Sequence, residues 1–62
     1  MADPSRILVI DGSEVSRTVI ARTLATQLEE ARITTCRSRG DALERLGRER
    51  YDLITTSLML PD

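Results

Sequence analysis

The sequence predicts an α/β domain in which helices pack on the faces of a parallel sheet. Three observations carry that prediction. Residues 7–10, "ILVI", form a short, continuous, β-branched apolar run, as expected of a strand buried on both faces. After "DGS" the apolar spacing becomes helical, with Val15, the adjacent pair Val19 and Ile20, Leu24 and Leu28 recurring four or five residues apart. Strand-like and helix-like segments then alternate to the end of the chain, in the pattern of parallel strands joined by crossover helices.

Each element has its own local reason. Residues 1–5 are a polar lead-in containing Pro4. The first strand is bounded by Arg6 on one side and by the turn-forming "DGS" on the other. The first helix is expected from about Ser13 to Glu30, with Ser13 as N-cap and Glu14, Arg17, Arg22 and Gln27 filling the polar positions. "ARITTC", residues 31–36, places β-branched residues in series and reads as the second strand. "SRGD", Ser38 to Asp41, has the Ser-x-x-Asp form of a helix start. Ala42, Leu43 and Leu46 supply that helix with an apolar stripe, and Gly47 weakens its last turn. "DLITTSL", from Asp52, reads as the third strand, and Pro61 ends regular pairing after it. The mixed charges of residues 37–50 read as the solvated face of the second helix.

Composition narrows the function classes. The chain has 62 residues, 40% of them hydrophobic, and a net charge of −1. One domain is the most it can form, and a domain this small buries only about 60% of its unfolded surface. The single cysteine, Cys36, allows no intrachain disulfide, and with no histidine present a zinc site is not expected. A lone thiol behind "MADPSR", which has no apolar signal region, leads us to expect a cytoplasmic protein. No apolar run approaches the 18 residues of a membrane span. The charge balance offers no general attraction to nucleic acid, and Tyr51, the only aromatic residue, cannot make a base-stacking platform. No membrane and no direct nucleic-acid partner are therefore expected.

Chemistry in an open parallel sheet belongs at the carboxyl ends of its strands. Those positions are Asp11, Gly12 and Ser13 after the first strand, and Ser57, Leu58 and Met59 after the third. If these two strands are neighbours, Asp11 and Ser57 lie side by side. Right-handed crossovers then place the two helices on opposite faces. Each residue also has a plainer reading. Asp11 can be a turn residue that caps the backbone after it, Gly12 a turn glycine, and Ser57 a polar strand end. Neither G-x-G-x-x-G nor G-x-x-x-x-G-K occurs. Ser57 lacks a histidine base, so nucleophilic catalysis is not expected. Cys36 reads as a small apolar residue at a strand end, with Arg37 and Arg39 as cations that would lower its pKa.

"RILVIDGSEVSR", "CRSRGDALERL" and "YDLITTSLMLPD" together resemble the receiver domain of two-component response regulators. The resemblance runs without a gap from Arg6 to Asp62 and covers the first half of that family's fold. It implies a partial flavodoxin-like (CheY-like) parallel sheet with the order strand, helix, strand, helix, strand. Residues 6–62 would be the N-terminal half of a receiver-like domain, with its remainder absent from this sequence.

The family's mechanism passes a phosphoryl group from a histidine kinase to an aspartate ending the third strand. Two acidic residues after the first strand help that aspartate to hold magnesium (Mg2+), and the phosphate shifts a two-state equilibrium. The resemblance places Asp11 at the first acidic position, Gly12 at the second and Ser57 at the phospho-acceptor position. Arg17 and "LPD" fit the pattern without carrying chemistry. The family's later hydroxyl and lysine positions fall after Asp62. Of three carboxylates one is left, and each lost charge removes about 4 kcal/mol of attraction at about 4 Å and an effective dielectric near 20. Asp11 alone is thus a weak metal position, and no cofactor is expected. Asp52, about 17 Å from Ser57 at the other end of the strand, and Asp62, beyond Pro61, do not sit where in-line transfer is expected, although Asp62 could approach the edge of the pocket.

The resemblance therefore implies a non-enzymatic signalling module with a degenerate phosphorylation site, regulating an attached effector domain or a protein partner. A phosphate- or nucleotide-binding fragment using Asp11, Gly12 and Ser13 at a helix N-terminus is an alternative. A self-associating structural fragment is another. Stopping at Asp62 would leave one edge of "DLITTSL" unpaired, a template for pairing with another chain. We accordingly expect a piece of a longer protein that self-associates.

Overall fold

A computed structural model describes residues 4–57 and 59–62. The first strand, β1, is Arg6–Ile10, and the helix α1 that follows is Glu14–Gln27. The strand β2, Arg32–Cys36, leads into the helix α2, Arg39–Arg48, and the strand β3 is Leu53–Thr56. The strands form one parallel sheet in the order β2-β1-β3. This is an α/β arrangement consistent with part of a flavodoxin-like fold.

The central position of β1 follows from its composition. Ile7, Leu8, Val9 and Ile10 are all buried, and only a strand flanked by others and covered on both faces can bury four apolar residues in a row. Leu8 and Ile10 join Cys36 and Ala42 in one cluster, with Tyr51 and Leu60 packed against it. Ala42 belongs to α2, so this is the α2 face of the sheet. The period of two turns Ile7 and Val9 to the opposite face, where α1 lies against β1 and β2. The two helices thus take opposite faces, as right-handed crossovers require.

The first helix is shorter than the sequence pattern suggests. It ends at Gln27 rather than Glu30, with the Leu28 N–H donating to Leu24 O (2.8 Å) and the Ala31 N–H turning back to Leu28 O (3.0 Å). The shorter helix is the closer match in length to the strands it connects. Five-residue strands span about 17 Å and the fourteen residues of α1 span about 21 Å, whereas a helix from Ser13 to Glu30 would overrun the sheet at about 27 Å. The stripe facing the sheet also differs. Arg17, Ile20, Ala21 and Leu24 are half-buried, whereas Val15 and Val19 are exposed. In α2 only Ala42 is buried, and Leu43 and Leu46 stay exposed. The expected N-caps are in place: Ser13 Oγ accepts from Ser16 N–H (3.3 Å) and Ser38 Oγ from Asp41 N–H (3.2 Å).

The third strand is shorter than "DLITTSL". Asp52 precedes it and ties the amino end of the sheet: its N–H donates to Arg6 O (2.7 Å) and its Oδ2 accepts from Arg6 N–H (2.8 Å). Arg6 also pairs with Glu49 at 3.2 Å, and Tyr51 OH donates to the same carboxylate at 3.0 Å. The predicted extension of this strand to Leu58 falls on a residue outside those described. Neither helix packs on β3. Its adjacent residues Leu53 and Ile54, which point to opposite faces, are both nearly half exposed.

Candidate functional site

The site is assembled where β1 and β3 end side by side. Ile10 pairs with Thr56, and the Ser57 N–H donates to Ile10 O at 2.9 Å. On the other side, the Asp11 N–H donates to Cys36 O at 3.0 Å. Asp11 is thereby held between the ends of β2 and β3, and Ser57 is its neighbour in sheet order. The two residues that the sequence singled out are brought together.

Their polar groups are engaged locally. Asp11 Oδ1 accepts the Ser13 N–H at 2.9 Å, so the carboxylate caps the turn into α1. The Asp11 carbonyl accepts from Arg17 Nη1 at 2.8 Å, which locks the same turn to the first helix. The capping role read for Asp11 is realised, and it occupies one carboxylate oxygen. Ser57 Oγ accepts the Met59 N–H at 3.1 Å and lies 3.4 Å from Met59 O. The hydroxyl therefore initiates the turn out of β3 and does not point at a reaction partner.

Gly12 lies beneath that turn. A Cβ at this position would sit 3.1 Å from Pro61 Cδ, 3.5 Å from Met59 O and 3.8 Å from Arg37 O. The chain from Met59 to Asp62 therefore crosses the space into which a side chain at position 12 would project. It ends at the start of α2, where Asp62 Oδ1 accepts from Arg39 N–H (2.7 Å) and Oδ2 from Gly40 N–H (2.8 Å). The first amides of a helix have no acceptor within it and carry its positive end. Those bonds, from Gly40 and then Arg39, hold the Asp62 carboxyl below its ordinary pKa. Sequence reading expected Asp62 near the edge of the pocket and gave "LPD" no role. Pro61 and Asp62 instead bridge the pocket to α2. The only signal for this was a proline followed by an acid shortly after a strand.

A hard cation such as magnesium prefers several carboxylate oxygens in near-octahedral geometry. The residues present do not fit it. Asp11 offers one free oxygen, Gly12 offers none and has Pro61 beside it, and Ser57 Oγ is turned to Met59. Among the described residues, no three Cys, Asp or Glu side chains converge in a metal-binding group. An anion at α1 meets a similar obstacle, since the Ser13 and Ser16 amides already donate to Asp11 and Ser13.

Cys36, at the end of β2, is buried in the α2-face cluster, as expected of a small apolar residue. Burial raises its pKa. The cation that opposes the rise is Arg45 of α2, rather than Arg37 or Arg39, and Asp41 adds to the rise. A hollow of about 230 Å3 between β2 and α2 is lined by Thr35, Cys36, Asp41, Glu44, Arg45 and Arg48. Its charges are mutually paired, Arg48 with Glu44 and Arg45 with Glu49 of the cap. No helix of the described residues is long and apolar enough to cross a membrane. No protein-family model, curated protein or solved structure matches the chain.

Proposed function

We propose that the chain is a signalling module of the two-component type: a receiver-like domain that regulates an attached effector or a protein partner without phosphorylation at the usual position. The observation that carries this reading is the juxtaposition of Asp11 and Ser57 at the carboxyl ends of β1 and β3. That edge is where open parallel sheets place their chemistry. Ser57 cannot form an aspartyl phosphate, and the donor set described above does not suit magnesium. A cytoplasmic location and a non-enzymatic role belong to the same proposal.

Incubation with acetyl phosphate and magnesium, followed by peptide mass spectrometry, tests it. Every aspartate is expected to remain unmodified. Stable incorporation at Asp11, Asp52 or Asp62 would overturn the phosphorylation-independent reading.

A second reading, self-association through β3, has its own supporting observation. That strand lies at the edge of the sheet with Leu53 and Ile54 exposed and no helix over either face. An open apolar edge is a template for strand addition. Light scattering over a dilution series should show dissociation on dilution, and a folded monomer at every concentration would refute it.

A further inference from the structure

We propose that residues 59–62 are a strap, latched shut by Asp62 on the first turn of α2, whose closure over Gly12 couples the strand-end site to α2. Four contacts tie the segment into one unit. At its start, Ser57 Oγ holds the Met59 amide. In its middle, Leu60 packs against the cluster of Leu8, Ile10, Cys36 and Ala42. Pro61 then rests on Gly12 at a distance that leaves little room for a Cβ. At its end, Asp62 takes the Arg39 and Gly40 amides of α2.

The latch is built to be reversible. Asp62 and both of its partners are exposed, so water competes for each bond. Opening frees two amides at the positive end of α2, takes Pro61 away from Gly12 and withdraws Leu60 from the cluster that contains Cys36 in a single movement. A partner that takes the first turn of α2 and one that enters at Gly12 therefore compete with the same strap. By linkage each favours the other's binding, because both select the open state. The glycine at position 12 acquires a reason of its own: it is the residue over which the strap can close.

Cys36, the only cysteine, reports on the strap because Leu60 packs on its cluster. Thiol labelling of the protein is followed for wild type, Asp62→Ala and Gly12→Ala, with circular dichroism to confirm folding. Labelling is expected to quicken severalfold in Asp62→Ala, which loses both amide bonds, and to quicken in Gly12→Ala as well. A wild-type nuclear Overhauser contact between Gly12 Hα and Pro61 Hδ, lost in Asp62→Ala, is expected alongside. Unchanged labelling in folded variants would overturn the proposal, as would absence of that contact in the wild type. Should Asp62→Ala not fold, Asp62→Asn replaces it, and unchanged labelling there counts equally against the latch. The latch does not rest on the receiver-like reading, so a phosphorylation result and a labelling result fail separately.

Discussion

Pro61 lies so close above Gly12 that a Cβ added at position 12 would come within 3.1 Å of Pro61 Cδ. The backbone itself gives no reason for a glycine here, because no described glycine has a positive φ. Gly12→Ala should therefore gain a few tenths of a kcal/mol by restricting the unfolded chain, and lose a comparable amount as Pro61 is displaced. A net change in stability below about 1 kcal/mol is expected in chemical denaturation.

Asp62 gives a pH dependence with a defined sign. Its folded pKa lies below its ordinary value near 3.8, because the Gly40 and Arg39 amides favour the ionised form. A lowered carboxylate pKa contributes stability above the ordinary value and loses it as pH falls through the folded value. The Arg39 and Gly40 amide resonances should hold steady from neutral pH down to the ordinary carboxylate range. They should then shift together below that range, and in Asp62→Asn this step should vanish.

Two groups cap the first turn of α2, and their removal should not be additive. Ser38→Ala removes the acceptor for the Asp41 N–H and should cost about 1 kcal/mol. With Asp62 also removed, the turn loses its remaining side-chain acceptors. The double variant should fray, and its loss of stability in a double-mutant cycle should exceed the sum of the two single losses.

Leu8 is among the least forgiving of the described positions. It is fully buried between two strands and under α2, where Leu→Ala typically costs 2–5 kcal/mol. A domain of this size has about that much stability in total. Leu8→Ala should be unfolded by circular dichroism at room temperature.

Adding two carboxylates beside Asp11 tests the strap and the proposed site together. Gly12→Asp with Ser57→Asp adds two acidic groups beside Asp11, three in all. Calorimetry should detect magnesium binding to the double variant and not to Ser57→Asp alone. Cys36 labelling should quicken in the same double variant, because a side chain at position 12 competes with Pro61 for space.

What could be read in advance depends on the range of the interaction. The order of elements was legible because its signals are local: four apolar residues in a row for β1, and serine caps for both helices. The neighbouring of Asp11 and Ser57 was legible as soon as strands one and three were taken to be adjacent. The end of α1 was not legible, because the apolar spacing runs on past it to Leu28. Nor was its packed face: the spacing of Val15 and Val19 suits a helix, yet the sheet meets the row of Arg17, Ile20, Ala21 and Leu24. The strap was least legible. Asp62 bonds backbone amides 22 and 23 residues away, and backbone amides leave no mark in a sequence.

The sheet order carries a consequence for synthesis. The first of the three strands to be translated, β1, is paired on one side by β2 and on the other by β3, whose last residue is Thr56. Its four apolar residues stay unsatisfied until nearly the whole segment has been translated. Until then the nascent chain presents a bare hydrophobic strand, the exposed state that chaperones bind and that aggregates form from. Residue choice in β3, far along the chain, thus governs how soon the oldest part of the fold is protected.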